Sequence, residues 1–127
     1  MNVFFLISGV LAIILAVTHA VWGEKLIIPD LKKSGLPDLA KIGFHISWHQ
    51  ISMVLLVSGI SLVVLAFLTD CAGSKVGATI IVGITSANFL VFLVLSFIQK
   101  KALFGKSIPQ IILFVTLIAL IIIGMVL

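Results

Sequence analysis

The sequence predicts an all-α membrane protein, a four-helix transmembrane bundle with up-and-down topology. Of its 127 residues, 62% are hydrophobic and only 9% are charged. Soluble domains average about 45–50% apolar and about 25% charged residues. A soluble chain of this length could not bury so much apolar side chain, because small domains leave much of their surface in water. The composition therefore excludes a soluble enzyme, a nucleic-acid-binding module and a disordered chain.

Four apolar stretches are each long enough to cross a bilayer, which takes about 20 residues in a helix. They cover residues 3–22, 44–69, 76–98 and 108–127. Strands would leave unpaired backbone groups in lipid, so each stretch is predicted to be helical. The connections are short, which predicts antiparallel neighbours within a single integral membrane domain spanning residues 1–127.

Local signals mark where these helices begin and end. Gly23 follows the first stretch and Gly43 precedes the second. Residues 70–74 are predicted to form a tight turn. Ser107 and Pro109 are predicted to open the fourth helix, because a capping residue followed by proline in the first turn is typical of a helix start.

The lysines predict the orientation of the chain in the membrane. Seven of the eight lysines lie in the loops at residues 23–42 and 99–107, and only Lys75 lies in the remaining connection. The positive-inside rule places those two loops in the cytoplasm and both termini outside, as expected in a bacterial inner membrane. Loop 23–42 alternates lysines with apolar patches, which predicts short helices or turns along the membrane interface.

The rare polar side chains are concentrated in one part of the sequence. All three histidines and the only glutamate lie within 31 positions, and they are His19, Glu24, His45 and His49. Ionisable groups at membrane depth are costly and usually mark function. At a rise of about 1.5 Å per residue, the three histidines lie at one level near the cytoplasmic ends of the first two helices, and Glu24 at the start of the loop can fold back over them. His45 and His49 are four residues apart and share a helical face.

This clustering predicts a metal site. Three imidazoles and a carboxylate suit zinc, copper, iron or nickel. His19, His49 and Glu24 are the first choices as ligands, with His45 next. A site with an open position would hold an activated water and make the protein a membrane-embedded metalloenzyme. Supporting polar or aromatic positions near this level are Trp22, Trp48, Ser52, Asn88 and Gln110.

Three alternatives remain open from the residues alone. A b-type haem would take His19 and either His45 or His49 as axial ligands from facing helices. A small transporter would use the histidines, coupled to Glu24, as a proton path. A non-catalytic interaction subunit would need only structural histidines near the interface.

The remaining small and polar residues predict contacts between helices. Ser8, Ala12, Ala16 and His19 form a stripe on the first helix that is expected to pack against another helix, which directs His19 away from lipid. Gly83 and Ala87 form a similar pair that predicts a contact in a homo-oligomer. Lipid is the partner that the composition predicts most directly.

The other side chains receive simpler interpretations. Trp22 and Trp48 are interpreted as interface anchors, because their rings are amphipathic. Asn88 is interpreted as a hydrogen-bond partner between helices. Cys71 is the single cysteine, which excludes an intramolecular disulfide and a two-thiol redox pair.

A short pattern in the first half of the chain carries a resemblance. The chain has His-Ala-Val-Trp-Gly-Glu at residues 19–24, Ile-Ile-Pro at 27–29 and Trp-His at 48–49. It resembles an uncharacterised family of small four-helix bacterial membrane proteins with a His-x-x-x-Gly-Glu... Trp-His pattern. The resemblance implies the fold but no activity, and His45 lies outside its pattern. The shared positions are His19, Gly23, Glu24, Trp48 and His49.

Overall fold

The computed structural model describes residues 1–68, 72–99 and 101–127, and these residues are almost entirely helical. The elements in chain order are α1 (Val3–Trp22), a π-helical segment (Gly23–Ile27), α2 (Ile28–Lys33), α3 (Asp38–Phe67), α4 (Ala72–Gln99) and α5 (Lys101–Val126). Within the described residues, four helical stretches are long and apolar enough to cross a membrane. The prediction of an all-α four-helix bundle is confirmed.

The four long helices form a closed ring. α1 packs most extensively on α3, and α4 packs on α5. Contacts of α1 with α5 and of α3 with α4 complete the ring. Successive long helices are therefore neighbours, as the short connections predict.

The helices extend beyond their predicted bounds at several places. The chain stays helical through Gly23, whose backbone angles of −58° and −51° are those of a right-handed helix. α3 begins at Asp38, directly after Pro37 and earlier than predicted. α5 begins at Lys101, so Pro109 lies inside this helix instead of opening it. Helical backbone pairs its own polar groups, which favours continuing each helix wherever the surroundings are apolar.

Two of the predicted connections are correspondingly shorter. The loop predicted at residues 99–107 belongs almost entirely to α4 and α5. The turn predicted at residues 70–74 is helical from Ala72 onward. Asp70 and Cys71 lie outside the described residues, so the interpretations placed on them stay predictions.

α1 and α3 approach each other so closely that their backbones touch. A Cβ atom added to Gly9 would lie 2.7 Å from the Gly59 carbonyl oxygen, and one added to Gly59 would lie 2.8 Å from that of Gly9. The predicted stripe of Ser8, Ala12 and Ala16 is buried beside this contact. Small residues let two helices pack at this distance, and packing is what joins helices in lipid.

Asn2 ties three helix ends together at one end of the bundle. Its backbone N–H donates to the Ala66 carbonyl over 2.7 Å, and its side-chain Nδ2 donates to the Gly124 carbonyl over 2.6 Å. Its Oδ1 accepts from the backbone N–H groups of Phe4 and Phe5, each at 3.1 Å, and so caps α1. The start of α1 therefore lies beside the ends of α3 and α5, which sets the antiparallel register of the bundle.

The buried core lies in the same half of the bundle as Asn2. Its residues come from all four long helices and are Phe5, Ala12, Leu62, Ala66, Ala78, Ile81, Leu117 and Ile121. In the antiparallel register, the histidine-bearing segments occupy the opposite end.

Candidate metal site at the end of the α1–α3 pair

The predicted polar cluster lies about one membrane thickness away from the Asn2 end. From Val3 to Glu24 the helical rise amounts to about 31 Å, and from Phe67 back to His49 it amounts to about 27 Å. The hydrocarbon core of a bilayer is about 30 Å thick. A bilayer spanned by this pair of helices would therefore have the boundary between hydrocarbon and headgroups near the cluster.

The π-helical segment places Glu24 next to α3. This segment runs from Gly23 to Ile27, and it closes with a bond from the Ile28 N–H to the Gly23 carbonyl. Gly23 is buried, and a Cβ atom at this position would overlap the indole ring of Trp48. Glycine therefore lets the chain pass against Trp48, and the wide turn that follows carries Glu24 toward the α3 histidines. Single π turns of this kind are frequent at functional sites.

Glu24, His45 and His49 converge on one point. The Nε2 atom of His45 lies 2.6 Å from Glu24 Oε1, and the Nε2 atom of His49 lies 2.7 Å from the same oxygen. The two rings are one helical turn apart, with centroids separated by 5.1 Å. One donor atom from each of the three residues lies within 4.8 Å of the other two. The described residues thus contain a group of side chains that could hold a metal ion.

Binding a metal would require this group to rearrange slightly. Tetrahedral zinc with bonds of about 2.0–2.1 Å holds neighbouring ligand atoms about 3.3 Å apart. The Glu24 oxygen is closer than this to both imidazole nitrogens, so it would move away from them as the metal enters. The side chains of His45, His49 and Glu24 are 34%, 40% and 45% exposed. A metal held here would keep coordination positions open on its exposed side.

Hydrogen bonds hold the same three side chains together. The Glu24 carboxylate oxygen accepts from both rings, so each imidazole carries its proton on Nε2 in this arrangement. A metal ion needs the lone pair of that nitrogen, so each neutral imidazole would have to carry its proton on Nδ1 instead. Metal loading at this site is therefore expected to change the tautomer of both rings.

His19 makes a different set of contacts. Its ring stacks on Trp48 with centroids 4.3 Å apart and planes 6° from parallel. Its Nδ1 lies 2.9 Å from Ser52 Oγ, and the Ser52 hydroxyl is 3.2 Å from the Trp48 carbonyl. The Ser52 hydroxyl therefore links the His19 ring of α1 to the backbone of α3.

The structure brings together a different pair of histidines from the one that the sequence interpretation preferred. His19 was preferred to His45 as a ligand, but the group that could hold a metal contains His45 and His49 with Glu24. His19 instead belongs to the contact between α1 and α3. Its position on the stripe of small residues predicted that it faces another helix, and its contacts with Trp48 and Ser52 of α3 agree with that prediction.

The two tryptophans differ in their surroundings. Trp22 is 44% exposed, in agreement with its interpretation as an interface anchor. Trp48 is half-buried between helices and donates from Nε1 to the His19 carbonyl over 3.1 Å. Its ring also lies against Trp22 and Phe44, with centroids 5.8 Å and 5.9 Å away. Trp48 therefore joins α1 to α3 and supports the segment that carries Glu24.

The remaining supporting residues lie on the other pair of helices. Asn88 is exposed and its Nδ2 donates to the Ile84 carbonyl of its own helix over 2.9 Å. This corrects the interpretation of Asn88 as a partner between helices, because the helix itself offers an acceptor one turn away. Gln110 is half-buried in α5.

Lys41 was not singled out from the sequence as a candidate site residue, although its spacing from the histidines indicates that it shares their helical face. It lies four residues before His45 and eight before His49, so the three side chains share one face of α3. Its side chain is only 22% exposed. Lys41 therefore lies one helical turn before His45 on the face of α3 that carries the candidate ligands.

A haem between α1 and α3 would require these helices to separate. The ring of His19 is packed against Trp48, and the two backbones touch at Gly9 and Gly59. A porphyrin ligated by His19 and an α3 histidine would have to displace these contacts. The geometry therefore favours a single metal ion over haem, while the transporter and interaction-subunit alternatives stay predictions.

Comparison with protein-family models, with curated proteins and with solved structures finds no match in any of the three. The resemblance of residues 19–49 to a family of small membrane proteins stays a prediction. The geometry of the site is therefore the basis for assigning a function.

Proposed function

We propose that this protein is an integral membrane metal-binding protein in which Glu24, His45 and His49 hold one divalent transition metal. The observation that carries the proposal is the convergence of the three donor atoms within 4.8 Å of one another. Two imidazole nitrogens and one carboxylate oxygen are a ligand set used by catalytic zinc and by non-haem iron(II).

Exposure of the ligands favours a catalytic type of site over a structural one. Structural zinc is usually enclosed by four protein ligands, whereas catalytic zinc has three and a water. Here the structure brings together three donors, and each of their side chains is at least one-third exposed. A water in the open position would become a nucleophile near neutral pH, since a bound metal lowers its pKa. We propose that the metal supports hydrolytic or Lewis-acid chemistry at the membrane surface.

The lysines favour a cytoplasmic location for this surface. Lys25, Lys32, Lys33 and Lys41 all lie in the sequence between the first two membrane-spanning stretches. Under the positive-inside rule, this connection faces the cytoplasm. We therefore propose that the metal site opens on the cytoplasmic side of a bacterial inner membrane.

Metal stoichiometry tests the proposal directly. The full chain would be purified in detergent without a histidine tag, incubated separately with zinc and with iron(II) under anaerobic conditions, and freed of unbound metal. Inductively coupled plasma mass spectrometry is expected to find one metal ion per chain. The double variant His45→Ala/His49→Ala is expected to bind none. Equal metal content in the two proteins would contradict the proposed site.

A further inference from the structure

A groove between α2 and α3 opens beside the candidate metal ligands. It has a volume of about 380 Å³, which is within the usual range for small-ligand sites. His45 lines the groove and also belongs to the metal-binding group. A ligand in this groove would therefore lie against a metal-binding ring.

The groove combines an apolar wall with two cations. Leu31 of α2 and Ile42 of α3 supply accessible apolar surface, and Lys32 and Lys41 supply the charge. Ile28 is 1% exposed, so the wall that it forms is firmly packed. This pairing of apolar surface with positive charge suits an amphiphile that carries an anionic group.

Lys41 is the better placed of the two cations. Its side chain is 22% exposed, which keeps its ammonium group close to the groove. It pairs with Asp38, which also lines the groove, over 3.8 Å, and the Asp38 side chain is 94% exposed. An exposed pair of this length contributes little free energy. An incoming anion can therefore take over the Lys41 ammonium without a large loss.

The depth of the groove identifies the source of the anion. The adjoining ligands lie about 27–31 Å from the other ends of their helices, which is where a bilayer places its headgroup phosphates. Anionic lipids attract lysines at this surface with about 1 kcal/mol for each cation. A phospholipid in the cytoplasmic leaflet offers both the phosphate for the lysines and acyl chains for the apolar wall.

We infer that the α2–α3 groove binds the phosphate headgroup of an anionic phospholipid and presents it to the metal site beside His45. This inference rests on the proposed metal function, because it names the class of ligand that the site receives. The molecule next to the open coordination position would then be an anionic phospholipid rather than a soluble metabolite.

Native mass spectrometry of the full chain tests the inference and the metal site in one spectrum. The zinc-loaded protein would be titrated with dioctanoyl phosphatidylglycerol and, in parallel, with dioctanoyl phosphatidylcholine. The variants are Lys41→Gln, Lys32→Gln and Lys41→Arg, and Lys75→Gln is the matched control near the other end of the bundle. The mass of each ion reports bound zinc and bound lipid separately.

The expected result is preferential binding of phosphatidylglycerol that depends on the groove lysines. Affinity should fall about fivefold for Lys41→Gln and for Lys32→Gln, in line with the effect of one cation at an anionic surface. Lys41→Arg and Lys75→Gln should bind as the original chain does. Zinc content should be the same in all of these proteins.

Other results would overturn the inference. Equal losses in Lys75→Gln and Lys41→Gln would show a general effect of surface charge. Displacement of the lipid by millimolar inorganic phosphate would show that the groove selects a free anion. Zinc binding without lysine-dependent lipid binding would overturn the proposed lipid site in the groove and leave the proposed metal site standing. Lysine-dependent lipid binding by a chain that holds no zinc would overturn the metal function and the presentation of lipid to it.

Discussion

The α1–α3 pair and the α4–α5 pair are built differently. Gly9 and Gly59 bring the backbones of α1 and α3 into contact. α4 and α5 are joined by large rings, since Phe114 stacks on Phe89 and Phe92 with centroids 5.5 Å and 6.4 Å away. The candidate metal ligands all come from the first pair and its π-helical extension.

This difference explains why the ligands meet where they do. Short polar side chains at a helix end can reach one another only if the two backbones are close. Contact through glycine gives α1 and α3 that proximity, whereas α4 and α5 meet through stacked aromatic rings. The close contact between α1 and α3 therefore helps to bring Glu24, His45 and His49 together at the end of this pair.

The largest expected effect comes from separating the roles of the histidines. His45→Ala and His49→Ala should each lower zinc affinity by more than the roughly 10–100-fold that follows loss of an outer-shell partner. His19→Ala, the matched control on α1, should retain most of the affinity because His19 packs on Trp48. Competition with a fluorescent zinc chelator measures all three. Loss of zinc in His19→Ala alone would return His19 to the ligand set.

Enlarging a glycine at the close contact should break the first pair. Gly59→Leu places a side chain against the Gly9 carbonyl and is expected to destabilise the fold by about 1–3 kcal/mol or more. Gly43→Leu on the same helix is the control, because a Cβ atom there meets nothing within 4 Å. Thermal unfolding in detergent and zinc content are both measured. Equal melting temperatures for the two variants would mean that the backbones do not touch.

Trimming a ring should loosen the second pair without affecting the metal. Phe114→Leu removes the stacking on two α4 rings, and aromatic pairs contribute about 0.5–1.5 kcal/mol beyond burial. The melting temperature is expected to fall while zinc affinity stays unchanged. A parallel loss of zinc affinity would show that the two pairs are coupled rather than independent.

The smallest effect is expected at the hydrogen bond that orients His19. Ser52→Ala removes a buried hydroxyl and should lower stability by about 1 kcal/mol. Thr18→Val is the control, because the Thr18 hydroxyl donates to carbonyls of its own helix. Thermal unfolding of both variants checks the difference. No difference between them would show that the Ser52 bond adds nothing to the α1–α3 contact.

Much of the architecture was predictable because it depends on simple averages along the chain. Hydropathy located four spans, and small residues such as Ala12 and Ala16 marked the buried face of α1. The spacing of His45 and His49 predicted that they share a face. The helix ends were less predictable. Proline and glycine commonly mark the start or end of a helix, but Pro109 and Gly23 lie here within helical backbone.

Composition and periodicity are properties of the chain alone, so the sequence was enough for the all-α class, the number of spans and the depth of the polar cluster. The choice of ligands was decided by tertiary structure. The wide turn after Gly23 changes the direction in which Glu24 points, and the Trp48 ring occupies the side of His19. Both depend on how closely α1 approaches α3. That distance between two helices cannot be read from the spacing of residues along either one.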